Sequence, residues 1–212
     1  MVHQVSRQRG YSLIEMIIVV AIVGILMAVG IFAYGPVMRA SRVKQAATDL
    51  YDGLMRARSQ AIVQNGDIAI DYDTGTRTVT FSQGATINNR IVLSNQGTDP
   101  GNPRDGADYY FEPFSIVRGQ TREGDTVITG LDVDGDGAAD DIPILSDAAV
   151  NITIQQNGFI NGIGDASAIL LMHQNDLDEG DASGERQYAV ILFSTGLIKR
   201  ARHMPDGTWE LF

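Results

Sequence analysis

The chain has 212 residues, of which 44% are hydrophobic and 20% charged, values that are typical of a globular protein and exclude a disordered or collagen-like polymer. Sixteen Lys and Arg against 26 Asp and Glu give a net charge of -10, which disfavours binding of nucleic acid or anionic lipid over the whole surface. The sequence contains no cysteine, so disulfides, thiolate metal sites and cysteine nucleophiles are excluded.

The first predicted element is an apolar segment of 22 residues, Leu13 to Tyr34, interrupted only by Glu15 and two glycines. At about 1.5 Å per helical residue it covers roughly 30 Å, the thickness of a bilayer core. It is longer than the apolar core of a secretory signal peptide. Arg7 and Arg9 precede it and place the amino end in the cytoplasm, although basic residues also follow it, namely Arg39, Arg42 and Lys44.

Glu15 is the residue in this segment that requires an explanation, because a carboxylate in the membrane is costly unless it is paired, neutralised or near the interface. The surrounding sequence, Arg9-Gly10-Tyr11-Ser12-Leu13-Ile14-Glu15, resembles the processing signal of type IV prepilins and type II secretion pseudopilins. The resemblance implies that a prepilin peptidase cuts between Gly10 and Tyr11 and methylates the new amino group of Tyr11. Glu15 would then pair with the amino terminus of a neighbouring subunit and set the register of a filament.

A second helical pattern follows Pro36. Apolar residues recur at alternating steps of four and three, which places on one helical face Val43, Ala47, Leu50, Leu54, Ala57 and Ala61. We expect this face to pack on a globular domain and Asn65-Gly66 to end the helix. An unbroken helix from Tyr11 to Gln64 would be roughly 80 Å long.

Residues 67–212 contain short β-rich runs separated by turn residues, which is typical of an antiparallel sheet domain. Ile68–Tyr72 and Arg77–Phe81 form a predicted hairpin. The remaining predicted strands are Phe114–Val117, Thr126–Leu131, Val150–Ile154, Ala168–Met172, Tyr188–Phe193, Leu197–Arg202 and Trp209–Phe212. Residues 82–108 are rich in Gly, Asn, Asp and Pro and are predicted to form an exposed loop.

Three further segments resemble the GspH/FimT family of minor pilins. Leu54 to Asn65 is similar to the end of that family's helix, and Ile154–Ile160 and Phe193–Ile198 are similar to its two strand-turn-strand units. The long region between them is not covered by the resemblance.

An acidic tract, residues 123–185, holds 14 acidic groups and no Lys or Arg. Within it, Asp132 to Asp141 has the DxDxDG spacing of a calcium loop, whose alternate carboxylates converge on one ion. The predicted ligands are Asp132, Asp134, Asp136, the carbonyl of Ala138, Asp140 and Asp141. The final bidentate glutamate of an EF-hand is absent, since Pro143 stands there, and the alternative is a solvated acidic turn.

A late basic patch, Lys199, Arg200 and Arg202, lies along a predicted edge strand. It is either a polar face that discourages edge pairing or a DNA contact, because some FimT-like proteins bind DNA through a GRxR tail. Here Leu197 and Lys199 occupy the two arginine positions of that tail, so nucleic acid is not an expected partner. No arrangement of His, Ser or acidic residues indicates an enzyme.

These patterns predict an α+β protein in which a long amino-terminal helix packs on an antiparallel sheet. The predicted parts are a leader (1–10), a transmembrane and filament-core helix (11–35), an amphipathic half-helix (36–66) and a periplasmic β domain (67–212). The resemblance implies a single-pass inner-membrane protein that assembles with other pilins on the inner-membrane platform. The first hypothesis is a minor pseudopilin of a type II secretion system, and the alternative is a minor pilin of a type IV pilus.

Overall fold

The computed structural model describes residues 13–73, 78–92, 116–118, 125–145, 151–172 and 187–212. The chain divides into two compact units, residues 1–38 and residues 39–212. Gly10, Tyr11 and residues 93–108 of the predicted loop lie outside the described residues, as does most of the turn between the first two predicted strands. Among the helices of the described part, none is both long enough and apolar enough to cross a membrane.

One α-helix, α1 (Leu13–Gln64), is assigned over 52 residues and includes Pro36. It ends as predicted, because Asn65 takes a left-handed conformation with φ of 51° and the N–H of Gly66 donates to the carbonyl of Ala61 at 3.1 Å. The six residues of the predicted apolar face, which we call the α1 stripe, are each at most 2% exposed. They are Val43, Ala47, Leu50, Leu54, Ala57 and Ala61. The amphipathic pattern therefore identified the packed face of the helix correctly.

Twelve strands follow in the part of the chain that the structure describes. They are β1 (Ile68–Asp73), β2 (Thr78–Gln83), β3 (Thr86–Val92), β4 (Ile116–Arg118), β5 (Val127–Leu131), β6 (Asp140–Pro143), β7 (Asn151–Ile154), β8 (Ile160–Asn161), β9 (Ala166–Met172), β10 (Tyr188–Phe193), β11 (Ile198–His203) and β12 (Trp209–Leu211). All ladders between these strands are antiparallel. The predicted antiparallel sheet domain is thus confirmed for the described residues.

The strands form two five-stranded sheets and one separate hairpin. Sheet A has the order β3-β2-β1-β7-β8 and sheet B the order β12-β11-β10-β9-β4, and among the described strands β5 pairs with β6 alone. The α1 stripe, the inner face of sheet A and one face of sheet B share a first hydrophobic core. The opposite face of sheet B and the β5–β6 hairpin share a second core.

Sheet B is therefore buried on both faces. Along β9, Ile169 and Leu171 belong to the first core, whereas Leu170 and Met172 belong to the second. This two-sided burial explains why β9 and β10 are continuous apolar runs instead of alternating ones. The β5–β6 hairpin, which lies in the acidic tract, is the layer that covers the outer face.

Apart from the short β8, whose first residue Ile160 ends the predicted strand-turn-strand unit 154–160, two of the described strands were missed by the sequence analysis. β3 lies inside the predicted loop 82–108, so that loop prediction was wrong for residues 86–92. Its Asn-Asn-Arg centre has poor β-propensity, but Gly84 turns the chain with φ of 59° and brings β3 alongside β2. β6 begins at Asp140, where the sequence indicated only a metal loop.

Gly196 offers a test of how tightly the fold is packed. A Cβ at this position would overlap the carbonyl oxygen of Gly158, and φ is 84°. Gly207 is a matched control, since its φ is 85° but its Cβ would meet nothing within 4 Å. We expect Gly207→Ala to lower the free energy of unfolding by about 1–2 kcal/mol through backbone strain alone, and Gly196→Ala to lower it by roughly a further 1–3 kcal/mol.

Denaturant unfolding of the full chain in detergent, followed by circular dichroism, measures both values. Equal losses of stability in the two variants would show that the contact between Gly196 and Gly158 is not tight.

Candidate functional sites

The described start of α1 is the first candidate site. Glu15 lies in the first turn and its side chain is exposed. The large apolar side chains from Leu13 to Met27 are also exposed, from 41% at Val23 to 78% at Leu13. An apolar surface of this extent is typical of an interaction surface.

The acidic loop, residues 132–140, is the second candidate site and connects β5 to β6. Carboxylate oxygens of Asp132, Asp134 and Asp136 lie within 4.8 Å of one another, and all three side chains are exposed. Asp140 and Asp141 are not part of this group, because both belong to β6. The structure therefore brings together the first three predicted ligands.

Backbone N–H groups shape the acidic loop around these carboxylates. Asp132 accepts from the N–H of Gly135 at 2.7 Å and from the N–H of Gly137 at 3.0 Å. Asp134 accepts from the N–H of Asp136 at 3.0 Å, and Asp136 accepts from the N–H of Ala138 at 2.7 Å. Gly135 and Gly137 have φ of 86° and 88°, which side chains other than glycine rarely adopt.

Val133 attaches the acidic loop to the second core. Its side chain is 1% exposed although aspartates flank it on both sides. Its N–H donates to Asp140 Oδ2 at 2.8 Å, and its carbonyl accepts a hydrogen bond from Lys199 Nζ on β11. Asp140 Oδ2 thus accepts a hydrogen bond from the loop, whereas Asp140 Oδ1 takes no part in the contacts just described.

The late basic patch is not one surface. Lys199 bonds to the acidic loop on the outer side of sheet B, whereas the next residue along β11, Arg200, faces α1. Arg200 Nη1 donates to Thr48 Oγ1 at 3.2 Å, and its guanidinium lies 4.8 Å from the ring centroid of Tyr51 and 4.7 Å from that of Phe212. Arg200 therefore acts as an internal contact between α1 and the last strands.

Arg202 is also paired. Its Nε and Nη2 both donate to Glu210 Oε2, at 3.1 and 2.7 Å, across the β11–β12 ladder. Burial raises the pKa of the neighbouring Tyr188 above its usual value, and the positive charge of Arg202 partly opposes that shift. Lys199, Arg200 and Arg202 therefore all have partners within the chain, and Lys199 lies on the opposite side of sheet B from Arg200.

The turn between β11 and β12 contains another perturbed group. The hydroxyl and the N–H of Thr208 donate to Asp206 Oδ1 at 2.6 and 3.0 Å and hold the pKa of that exposed carboxyl below its usual value. His203 packs edge-on against Trp209, with ring centroids 5.1 Å apart. These contacts stabilise the turn and the adjoining strands β11 and β12.

Two turns meet the carboxyl end of α1 and form a third site, which we call the Arg58 joint. The joint consists of Arg58, the turn 155–158 and the turn 193–196. Arg58 Nε donates to the carbonyl of Gly158 at 3.1 Å, and Gly158 in turn touches Gly196. All three parts lie in the segments that resemble GspH/FimT proteins. The sequence analysis did not single out Arg58, because only the fold brings residues 58, 158 and 196 together.

Comparison with known proteins supports the interpretation of the amino-terminal sequence as a processing signal. Residues 5–31 match the family profile of the prokaryotic N-terminal methylation motif, which confirms the predicted processing motif. The type IV major fimbrial protein FimA of Dichelobacter nodosus is 41% identical over 71 residues, which are 34% of this chain and 43% of FimA. The chain therefore spans less than half of the length of this curated relative.

A solved structure, that of the minor pseudopilin EpsH from the type 2 secretion system of Vibrio cholerae, was also matched. The alignment covers 81% of this chain and 96% of EpsH, at 12% identity and a TM-score of 0.34. A TM-score of this size does not establish a shared fold.

Proposed function

Because this chain carries the amino-terminal methylation motif of type IV pilin-like proteins, we propose that it is a structural subunit of a pilin-type filament, and specifically a minor pseudopilin of a type II secretion system. The observation that carries the proposal is the methylation motif at residues 5–31, which extends into α1, together with the exposed apolar side chains from Leu13 to Met27. Such a surface is suited to the membrane before assembly and to a helical filament core afterwards. The β domain would then lie in the periplasm, and no enzymatic step is required.

Prepilin peptidase, other pseudopilins and the inner-membrane assembly platform are the partners that this proposal implies. Cleavage between Gly10 and Tyr11 would leave a methylated Tyr11, and Glu15 would pair with the amino terminus of an adjacent subunit. In a low-dielectric filament core the pairing with the amino terminus compensates for the hydration that the carboxylate loses. An unpaired Glu15 would be costly there, so the pair favours one axial position of the subunit.

A minor pilin of a type IV pilus is the second candidate, and the identity with a type IV major fimbrial protein favours it. The segments similar to GspH/FimT proteins meet in the Arg58 joint, which supports a common role for them but is compatible with either filament. The two systems therefore have to be separated by experiment.

Deletion of the gene in the source bacterium separates the two candidates. We expect proteins secreted into the culture supernatant to decrease while sheared surface pili from the same cells stay at the parental level, and a copy of the gene in trans should restore secretion. Loss of pili with secretion intact would instead assign the chain to a type IV pilus. If neither changes, the proposed filament function is wrong.

Substitution of Glu15 tests the filament role directly. Glu15→Gln keeps the shape of the side chain but removes the charge, and we expect it to reduce incorporation into sheared filaments at least about tenfold, as the loss of a buried pair of about 1.4 kcal/mol or more implies. Glu15→Asp retains the charge and should incorporate more than Glu15→Gln. Processing at Gly10, read from the mass of the mature chain, is the control and should not change. Normal incorporation of Glu15→Gln would contradict the role of this carboxylate.

We also propose that the acidic loop binds calcium. Its first three carboxylates already converge, the carbonyl of Ala138 and the second oxygen of Asp140 could complete the coordination, and Asp141 or a remote group could add to it. Bound calcium would reduce the repulsion among these aspartates and stiffen the cover of sheet B in a chain without disulfides. A hard ion is favoured because all of these donors are oxygens.

Thermal unfolding with and without millimolar calcium tests this second proposal. At about 100 times its Kd, calcium would add about 2.7 kcal/mol to the free energy of unfolding. Asp134→Ala should abolish the calcium-dependent rise in melting temperature, whereas Asp52→Ala, which removes the same charge from an exposed site on α1, should retain it. An unchanged melting temperature of the parent in calcium would leave the acidic loop as a solvated turn.

A further inference from the structure

The Arg58 joint connects α1 to both sheets through directional contacts. The Nε of Arg58 reaches across 100 positions of the sequence to the carbonyl of Gly158, and the bond is partly buried. A hydrogen bond from a charged donor is stronger than one between neutral groups, and its energy depends steeply on distance and angle.

Both glycines of the joint are needed for close approach. Gly158 and Gly196 have φ of 82° and 84°. A Cβ on Gly158 would lie 2.9 Å from Ile62 Cδ1, and a Cβ on Gly196 would overlap the carbonyl of Gly158 and lie 2.8 Å from Arg58 Nε. The two turns therefore touch backbone to backbone, and the side chains of Arg58 and Ile62 contact them from the helix.

Further hydrogen bonds join the same parts. The N–H of Ile160 on β8 donates to the carbonyl of Ser194 at 2.9 Å and so connects the turn of sheet B to sheet A. The N–H of Gln156 donates to Asp67 Oδ1 at 2.8 Å, and Asp67 follows the end of α1 after two residues. These bonds and that of Arg58 act side by side at one end of the packed helix.

We propose that the Arg58 joint is a connection that transmits axial force from α1 to both β-sheets. This inference rests on the proposed filament function, since a filament subunit is pushed and pulled through its helix. The apolar α1 stripe resists separation but is non-directional, so small axial displacements change its burial little. The hydrogen bonds that join Arg58 and Asp67 to the turn 155–158, in contrast, are directional, so they weaken steeply when the helix shifts relative to that turn.

Single-molecule pulling of the full chain in detergent tests the joint. The protein has no cysteine, so handles can be attached at engineered cysteines alone. Ser41→Cys on α1 and Pro205→Cys in the β11–β12 turn are exposed positions that load the helix against the sheets. Thr129→Cys with Pro205→Cys loads the exposed β5–β6 hairpin against sheet B instead and does not pull on α1.

Arg58→Met removes the charged donor, and Arg202→Met is the control because it removes an exposed pair on β11 and β12. In the first geometry we expect Arg58→Met to shorten the lifetime at constant force about tenfold, the effect of losing one charge-assisted hydrogen bond, and Arg202→Met to change it less than about twofold. In the second geometry Arg58→Met should have no effect.

Two results would overturn the proposal: an unchanged lifetime of Arg58→Met in the first geometry, or an equal shortening in both geometries, which would indicate general destabilisation. If Arg58→Met does not fold, Arg58→Gln, which also lacks the cationic donor, is pulled in its place and the same two results apply. The assay needs no filament, so its outcome is independent of whether deletion of the gene affects secretion or pili.

Discussion

Burial of the α1 stripe is the constraint on which the rest of the second unit depends. Val43, Leu50 and Leu54 are fully buried, and the alanines between and after them keep the helix surface shallow enough for strands to approach from two sheets. Gly53 serves the same purpose, because a Cβ there would overlap Ile91 of β3. Among the described strands no ladder joins the two sheets, so the helix is the element around which they share one core.

Sheet B extends this arrangement outward by one more layer. Its second face is covered by the β5–β6 hairpin, and that cover carries the acidic loop. Val133 and Lys199 connect the loop to the core and to β11, so a change in the loop acts on a strand whose other face contacts α1. A metal at the loop would therefore stabilise a structural layer and need not take part in any reaction.

Several basic residues of the chain make contacts within the fold that their sequence pattern did not predict. Arg58 and Arg200 each fix α1 to the strands, one through a carbonyl of a distant turn and the other between two aromatic rings. Arg202 is satisfied by Glu210. In the filament subunit that we propose, such connections at separate points along α1 would share axial force as well as contribute to stability.

The sequence by itself determined the methylation motif, the packed face and end of α1, and most of the strands, because these depend on local spacing and on the period of apolar residues. It also identified Asp132, Asp134 and Asp136, whose convergence follows from a short loop with two glycines in left-handed conformations. Only the tertiary structure decided that β3 and β6 are strands, that sheet B is buried on both faces, and that Arg58 meets two glycine turns. The physical reason is that these features depend on contacts between residues far apart in the chain, and there packing outweighs the weak local preferences of Asn, Asp and Arg.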